Sequence, residues 1–375
     1  MKKIAILGAS YLQSPLVEKA KNSDIEVHCF AWDDDKAVCK YEADFFYDIS
    51  VLEKELILEK CKEIGIDGIL TIATDICVPT IAHVVEELNL IGNPTKTALL
   101  TTNKGLMRAC FQENQISSPN YNIVKSLNDI NLISLKFPLI VKPSDRSGSL
   151  GVVKVENVVD LEKAIQYCLE VSIEKSAVVE EYIRGKEVSV ETISWKGNHQ
   201  VITITDKIIT EEPYFVELAH HQPSQLPLKI QEDIINISLR ILEATKVKNG
   251  ASHIELKIQP DGRIYAIEIG SRMGGDFIGS DLVSLSTGFD YLKAVIDICL
   301  NQFDGKVEKT INQFSGIYFL SENTKKLLPY FENSDNTEFE IVKKELQNTE
   351  LKEIHSSNDR SGYLIYQSNN KVHLL

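Results

Sequence analysis

Residues 252–270 read SHIELKIQPDGRIYAIEIG, two runs of alternating apolar and polar residues on either side of Asp261-Gly262. This alternation predicts two antiparallel strands joined by a tight turn. A two-residue loop would set Glu255 directly opposite Glu268, with their Cβ atoms about 5 Å apart. A three-residue bulged turn would set Glu255 against Ile267 instead. We reject that register because it mixes the polar and apolar faces of the hairpin.

The chosen register gives the hairpin one polar and one apolar face. The polar face carries Glu255 and Glu268. The apolar face carries Ile254, Leu256, Ile258, Tyr265, Ile267 and Ile269. Two carboxylates that face each other in a sheet repel unless something positive lies between them. Their hard oxygen atoms favour Mg²⁺, with room left for phosphate oxygens. The competing interpretation is a solvated acidic sheet face.

The hairpin leads into Gly270-Ser271-Arg272-Met273-Gly274-Gly275-Asp276. An arginine fixed at a strand end suits bidentate binding of a carboxylate or a phosphoryl group. The two glycines after it, including Gly275, would allow the backbone to approach that ligand closely. A structural arginine over a turn is the alternative.

The first hundred residues alternate strand and helix patterns, which predicts a parallel, doubly wound sheet. The predicted strands are Ile4–Leu7, Glu26–Ala31 and Gly68–Ile72, and the predicted helices include Leu52–Ile64 and Val78–Leu88.

A dinucleotide site is not expected in this sheet. Gly8 is the only one of the three glycines that the G-x-G-x-x-G fingerprint requires, and Asp33 cannot replace the others. Asp75 follows the strand Gly68–Ile72, at the sheet edge where doubly wound folds bind ligands. Helix capping is an equally good role for Asp75.

The polar run Thr95–Asn103, after Pro94, is interpreted as the exit from this first domain. A helix is predicted to begin at an N-cap residue, Thr101 or Thr102, and to end at Glu113.

A phosphate-binding loop is predicted after the buried strand Phe137–Pro143, which ends near Lys142. The following residues, Ser144–Val152, are small and include two glycines, so their backbone N–H groups could turn toward an anion. The loop is not a Walker A motif. A solvent-exposed hairpin turn is the alternative.

Residues 176–191, SAVVEEYIRGKEVSVE, contain two strand patterns around Gly185. Free backbone groups at Tyr182 and Ile183 could pair with adenine, and Glu187 could accept hydrogen bonds from ribose hydroxyls. For this segment alone we favour the alternative, a hairpin with a solvated acidic face.

Residues 217–224, ELAHHQPS, are predicted to be an irregular stretch between a strand at 201–210 and a helix at 228–244. Adjacent His220 and His221 could orient a substrate or bind an amine, and Glu217 could recognise an ammonium group. Surface histidines without a function are the alternative.

Composition excludes several classes. The chain has 375 residues, a net charge of −14 and seven scattered cysteines. The acidic balance argues against a nucleic-acid or membrane partner, and no apolar run approaches the roughly 18 residues of a membrane span. The cysteines fit neither a disulfide framework nor a zinc site, so a cytoplasmic location is expected.

Taken in order, these segments resemble an ATP-grasp ligase over about residues 1–300. The resemblance implies a mixed α/β and α+β chain: a Rossmann-like parallel-sheet domain at 1–100, then a two-subdomain ATP-grasp fold at 101–305. A small lid subdomain would span about 125–185, and residues 306–375 would form a closing subdomain.

The resemblance also implies roles for individual residues. ATP would contact Lys104, Lys142, Ser147, Gly148, Ser149, Gly151, Glu180, Tyr182, Ile183 and Glu187. One or two Mg²⁺ ions, with Mn²⁺ as a substitute, would bind Glu255 and Glu268. Catalysis would rest on Lys142, Glu255, Glu268 and Arg272, and the candidate substrate contacts are Asp75, Glu217, His220, His221, Arg272 and Gly275.

The run from Glu268 to Asp276 departs from the Glu-x-Asn-Pro-Arg of many relatives, because Gly270 stands where an asparagine often helps to bind metal. The number of metal ions is therefore left open. The Glu-x-Gly-x-Arg-x-Gly-Gly-Asp form is similar to the amino-acid ligases that make dipeptides. It implies that ATP drives the joining of a small carboxylate to a small amine through an acyl phosphate, in a protein that could be a homodimer. A biotin- or bicarbonate-dependent carboxylase and a non-catalytic nucleotide-binding regulator are the alternatives.

Overall fold

The computed structural model describes residues 1–132, 135–146, 148, 150–210, 215–332, 339–348 and 350–375. Its first elements are β1 (Lys2–Leu7), α1 (Ser14–Lys21), β2 (Ile25–Ala31), β3 (Phe45–Asp48), α2 (Lys54–Ile64), β4 (Gly68–Leu70) and α3 (Val78–Leu88). The strands form a parallel sheet in the order β3-β2-β1-β4. Residues Ile4 to Leu7 are fully buried because helices cover both faces of the sheet. The predicted doubly wound start is confirmed.

Two helices, α4 (Thr95–Thr102) and α5 (Lys104–Glu113), lead out of this sheet. Most of the run 95–103, which was interpreted as the exit from the first domain, forms α4, and the N-cap predicted at Thr101 or Thr102 was wrong. Asn103 caps α5 instead: its side-chain oxygen accepts a hydrogen bond of 3.0 Å from the Leu106 backbone N–H.

A small antiparallel sheet follows. Its elements are β5 (Tyr121–Val124), β6 (Leu139–Pro143), β7 (Val153–Val155), α6 (Val158–Val171) and β8 (Ala177–Glu181). The strand order is β5-β8-β6-β7, and Leu161 and Ile165 of α6 pack against the sheet. This unit occupies the region for which a lid was predicted.

The remaining chain builds one large sheet. Its elements are β9 (Lys186–Trp195), β10 (Asn198–Ile209), β11 (Glu217–Gln222), α7 (Leu228–Ala244), β12 (Gly250–Ile258), β13 (Ile264–Gly270), a π-helical turn (Ile278–Leu282), α8 (Val283–Thr287), α9 (Tyr291–Cys299), β14 (Phe314–Leu320), α10 (Leu328–Glu332), β15 (Glu340–Leu346) and β16 (Gly362–Ser368). The order is β13-β12-β9-β10-β11-β14-β16-β15. Residues 306–375 therefore continue the large sheet, because β14 pairs with β11. Short 3₁₀ helices lie at Val38–Lys40, Leu127–Asp129, Glu322–Leu327 and Ser357–Asp359.

The hairpin at 252–270 contains both of the strand registers considered above, one near the turn and the other beyond a bulge. At the turn, the Gln259 N–H bonds the Arg263 carbonyl at 2.9 Å, so the loop has three residues, with Gly262 at φ +86°. A bulge after Glu255 then shifts the register and sets Glu255 opposite Glu268. The predicted carboxylate pair is confirmed, and the two-residue loop was wrong.

The bulge also changes which side chains face the core. Ala266 is fully buried against α7, whereas Ile267, which was predicted on the apolar face, lines a cleft on the opposite face. Among the described residues, no helix combines the length and apolar character that crossing a bilayer requires.

Candidate active site

A cleft with an empty volume of ≈ 1110 Å³ lies between the small sheet and the large sheet. It brings together Asp75, Lys104, Lys142, Gly148, Glu180, Tyr182, Ile183, Glu187, Glu217, Glu255, Glu268 and Arg272. These residues come from three separate sheets or their connections, so the fold collects most of the predicted site at one place.

Other predicted residues lie elsewhere. Gly151, His220, His221 and Gly275 do not line this cleft. Gly151 has φ +78°, and a Cβ there would come within 2.7 Å of the Pro143 ring, so it shapes the loop rather than contacting the cleft. Ser147 and Ser149 lie outside the described residues.

Each of the two facing carboxylates of the hairpin bonds a lysine. The Lys207 ammonium lies 2.5 Å from Glu255 Oε1, and the Lys104 ammonium lies 2.8 Å from Glu268 Oε1. The positive charge expected between the carboxylates is thus supplied by the protein itself. Within the described part of the chain, both of these hydrogen bonds use Oε1, and neither Oε2 atom takes part in a hydrogen bond.

These two carboxylates fit a Mg²⁺ ion that draws its other ligands from elsewhere. No cluster of three or more His, Cys, Asp or Glu side chains suited to a metal occurs among the described residues. Mg²⁺ commonly binds through one or two carboxylates and completes its octahedron with water and substrate phosphates. The donor set at Glu255 and Glu268 matches that pattern.

A buried charge cluster supports the wall opposite the hairpin. Glu180 bonds Lys142 at 2.5 Å and Arg108 at 2.9 Å, and Arg108 also donates to the Ile267 carbonyl at 2.8 Å. Burial opposes ionisation of Glu180, but Arg108 and Lys142 outweigh it and hold the pKa of Glu180 below its usual range. One oxygen of Glu180 therefore bonds Lys142 and the other bonds Arg108, and the predicted contact of Glu180 with adenine stays a prediction.

Lys104 connects the phosphate-loop region to the hairpin. Its ammonium donates to the Arg146 carbonyl at 2.6 Å as well as to Glu268, and its backbone N–H bonds the Ser144 carbonyl at 2.7 Å. Arg146 lines the same cleft. Two cations, Lys104 beside the predicted phosphate-binding loop and Arg146 within it, thus lie close together.

Aromatic and charged groups also line the cleft near Lys257. Lys257 lies over the rings of Tyr182 and Phe215, 5.1 and 5.6 Å from their centroids, and 3.7 Å from Glu187. The backbone edge predicted for adenine is partly used, because the Tyr182 N–H bonds the Pro138 carbonyl at 3.1 Å. The Tyr182 N–H is therefore already bonded within the protein.

Arg272 is oriented by Asp75 of the first sheet. Its Nη2 lies 2.8 Å from Asp75 Oδ2, while Arg272 Nε and Asp75 Oδ1 are buried without a hydrogen-bond partner in the described residues. A Cβ on Gly270 would lie 2.5 Å from Asp75 Oδ1. Glycine at 270 therefore makes room for the pair.

A second pair fixes the turn after Arg272. His253 Nδ1 lies 2.5 Å from buried Glu191, whose other oxygen accepts the Gly274 N–H at 3.2 Å. Burial disfavours the imidazolium, but Glu191 and then Glu255 outweigh it and raise the pKa of His253 to about 9. A Cβ on Gly274 would come within 2.7 Å of His253 Nδ1, so this glycine is required by close approach.

Arg360, from the C-terminal segment, connects Glu217, which lines the cleft, with Asp276, which does not. It bonds both oxygens of Asp276 at 2.9 and 3.0 Å and Glu217 Oε2 at 3.3 Å, and it stacks on Phe319 at 3.6 Å. Burial opposes ionisation of Asp276, but Arg360 and His220 hold its pKa well below the usual range.

The prediction of an irregular segment at 217–224 was wrong. Residues Glu217–Gln222 form the interior strand β11, which pairs with β10 and β14. His221 is fully buried, with its Nδ1 2.8 Å from the Tyr366 hydroxyl, and burial lowers the pKa of His221 to about 3. His221 is therefore a neutral core residue, whereas His220 contacts Asp276 at 3.4 Å.

Sequence reasoning assigned no role to several charged residues of the site. They are Arg108, Arg146, Glu191, Lys207, His253, Lys257 and Arg360. Three had a usable signal: His253 and Lys257 alternate with Glu255 along β12, and Arg108 lies one helical turn after Lys104 in α5. Arg360 lies in a segment with no recognisable pattern.

Comparison with known proteins defines the class. Residues 135–281 match the ATP-grasp domain family. Alanine–anticapsin ligase of Bacillus subtilis is 26% identical over 302 residues, which cover 71% of this chain and 64% of the ligase. The chain thus spans less than two thirds of that relative.

Solved structures share the fold over nearly the whole chain. The L-amino acid ligase of Bacillus licheniformis aligns with a TM-score of 0.81 and 22% identity, covering 99% of this chain and 94% of that one. A biotin carboxylase of Campylobacter jejuni aligns with a TM-score of 0.74 and 16% identity, covering 99% and 88%. Residues 135–281 thus match an ATP-grasp domain, and the solved structures share the fold of the chain. Among the proteins that the chain resembles are alanine–anticapsin ligase and an L-amino acid ligase.

Proposed function

We propose that the protein is an ATP-dependent carboxylate–amine ligase that forms a peptide-type bond and acts on an amino acid. The observation that carries the proposal is the arrangement of the two hairpin carboxylates beside Arg272 and Glu217 in one cleft. Carboxylates for a metal, cations for phosphate and an acid for an ammonium group lie within a single cavity. The alignments with alanine–anticapsin ligase and with the L-amino acid ligase structure support the same activity.

The proposed reaction has two steps. A carboxylate oxygen of the first substrate attacks the γ-phosphorus of ATP, which gives an acyl phosphate and ADP. The amine then attacks the acyl carbon, the C–O bond to phosphate breaks, and the amine loses a proton as the amide forms. Mg²⁺, held by Glu255 and Glu268, would neutralise charge on the phosphates.

The residues of the chain bind and orient the reactants. Lys104, Lys142 and Arg146 are positioned to contact phosphate oxygens, and Arg272 to stabilise the charge that grows on the transferred group and the acyl oxygen. Glu217 is suited to hold the ammonium form of the incoming amine. Tyr182, Ile183 and Glu187 remain the proposed contacts of adenosine.

A carboxylase that uses bicarbonate shares the fold and stays the alternative. A phosphate-release screen over single amino acids and pairs, with product masses, separates the two. Release that requires an amino-acid pair and yields a product of their summed mass less water supports the ligase. Release driven by bicarbonate alone would contradict it.

Cellular location and assembly are further parts of the proposal. All seven cysteines are buried and unpaired, which fits a reducing cytoplasm. We also propose a homodimer, which light scattering of the purified protein tests.

A further inference from the structure

One buried lysine contacts three acids that the proposed function assigns to three different ligands. Lys207 lies on β10 with its side chain 3% exposed, and its ammonium lies 2.5 Å from Glu255, 3.3 Å from Glu187 and 3.8 Å from Glu217. These acids are the proposed contacts of the metal, the ribose and the amine.

The strand order explains how one side chain reaches all three. Lys207 is on β10, with Glu187 on the neighbouring β9, Glu217 on the other neighbour β11, and Glu255 one strand further, on β12. An ammonium group has three N–H donors. It can therefore address three carboxylates from different directions, which a planar guanidinium cannot do from the same position.

Each of the three acids also contacts one further cation. Lys257 lies 3.7 Å from Glu187, Arg360 lies 3.3 Å from Glu217, and His253 lies 3.5 Å from Glu255. Among the described residues, Lys207 alone contacts all three acids.

Neighbouring opposite charges stabilise the ionised forms of Lys207 and Glu255. Burial disfavours the ammonium, but Glu255, Glu187 and Glu217 outweigh it and raise the pKa of Lys207 well above its ordinary value. Burial also opposes ionisation of Glu255, but Lys207 and His253 keep its pKa well below the usual range.

We propose that Lys207 is a positioning residue that holds the ribose, amine and metal carboxylates in one fixed arrangement, an inference that rests on the proposed ligase function. Without this cation, three neighbouring carboxylates would repel one another and each would lose its common anchor. Binding of nucleotide and binding of amine therefore depend on the same residue.

The test compares two lysine-to-methionine variants, since methionine keeps the length of the side chain and removes the charge. Lys207→Met is expected to raise the Kd for MgADP, measured by calorimetry, and the KM for the amine roughly tenfold or more, as for a lost charge-assisted hydrogen bond. Lys257→Met, which touches Glu187 but neither other acid, is expected to raise the Kd for MgADP and to leave the amine KM within about twofold. A merely structural role of Lys207 would lower kcat through a smaller active fraction, with both constants unchanged.

A folded Lys207→Met protein with both constants within about twofold of wild type overturns the proposal. If that variant does not fold, Lys207→Met with Glu217→Gln restores the charge balance and is compared with Glu217→Gln alone. An equal Kd for MgADP in those two proteins overturns the proposal, and a rise of roughly tenfold supports it.

Failure of the ligase function can be told apart from failure of this inference, because MgADP binding needs no turnover. A wild-type protein that binds MgADP but joins no amino acids contradicts the ligase function, and the Kd comparison still decides the role of Lys207 in nucleotide binding.

Discussion

Carboxylates inside the cleft and carboxylates beside it are held in different ways. Inside the cleft, Glu255 and Glu268 are hydrogen-bonded by lysines, each through its Oε1 atom. Outside the cleft lining, Asp276 is bonded by Arg360 through both of its oxygens, at 3.0 and 2.9 Å.

This difference decides which carboxylates can still bind a ligand. An ammonium is a point charge that can orient one oxygen and leave the other available, whereas a guanidinium fork occupies a carboxylate from both sides. Glu255 and Glu268 therefore each keep an oxygen that could bind Mg²⁺, while Asp276 is held by Arg360 on both oxygens. Asp75 is an intermediate case, because Arg272 hydrogen-bonds only its Oδ2 atom.

The largest effect is expected from a change at one of the lysine-paired carboxylates. Glu268→Gln should reduce ATP turnover to background, because it removes a proposed metal ligand. Among the described residues the Glu268 side chain bonds only Lys104, so the change should leave the fold intact. Phosphate release at saturating Mg²⁺ and thermal melting measure the two effects. Glu232→Gln, on the exposed face of α7, is the control. Unchanged release from Glu268→Gln would refute the metal site.

The arginine of the catalytic turn should be nearly as sensitive. Arg272→Lys is expected to lower kcat by ~10²–10³, because a point charge cannot reproduce the planar fork at the reacting group. Arg263→Lys, in the exposed turn of the same hairpin, is the matched control and should be unchanged. Equal kcat values for the two variants would show that the fork at Arg272 has no role.

A smaller loss is expected when the Asp75–Arg272 pair is displaced. A Cβ at Gly270 would lie 2.5 Å from Asp75 Oδ1, so Gly270→Ala should push the carboxylate away and lower kcat roughly 10–100-fold through misplacement of Arg272. If the effect acts through Asp75, adding Asp75→Ala to Gly270→Ala should cost little more than either change alone. Fully additive losses in this cycle would contradict the steric explanation.

The smallest effect is expected from His253, the histidine that contacts Glu255. The pKa of His253 is raised to about 9 from its ordinary 6.5, so its stabilisation is fully present below pH 6.5 and is lost as the pH rises through 9. Between pH 6 and pH 9.5, the free energy of unfolding measured in urea should fall by about 1–3 kcal/mol in the wild type. It should fall by much less in His253→Gln. His355→Gln, at an exposed position, should keep the wild-type pH dependence. An equal loss of stability with pH in His253→Gln would show that His253 is not the group responsible.

Local pattern was enough to predict the metal hairpin. The alternation in 252–270 sets the facing pair Glu255 and Glu268, because side chains in a strand repeat every two residues. It did not reveal the bulge, which lets a three-residue loop coexist with that pairing. The first parallel sheet and α7 were predictable for the same reason, since their apolar periodicity is local.

The residues that were missed owe their positions to distant parts of the chain. Lys207 is 48 residues from Glu255, and Arg360 is 143 residues from Glu217. The misread strand β11 is a related case: its histidines look like surface residues, yet His221 is paired in the core with a tyrosine 145 residues later. No local pattern encodes such partners.

The proposed acyl phosphate is tested most directly by following oxygen. The protein is incubated with ATP, an amine and a carboxylate substrate that carries ¹⁸O in both carboxylate oxygens. Phosphoryl transfer to the carboxylate followed by attack of the amine must leave one ¹⁸O atom in the inorganic phosphate, which mass spectrometry detects. Unlabelled phosphate, or label that appears in AMP, would contradict the mechanism.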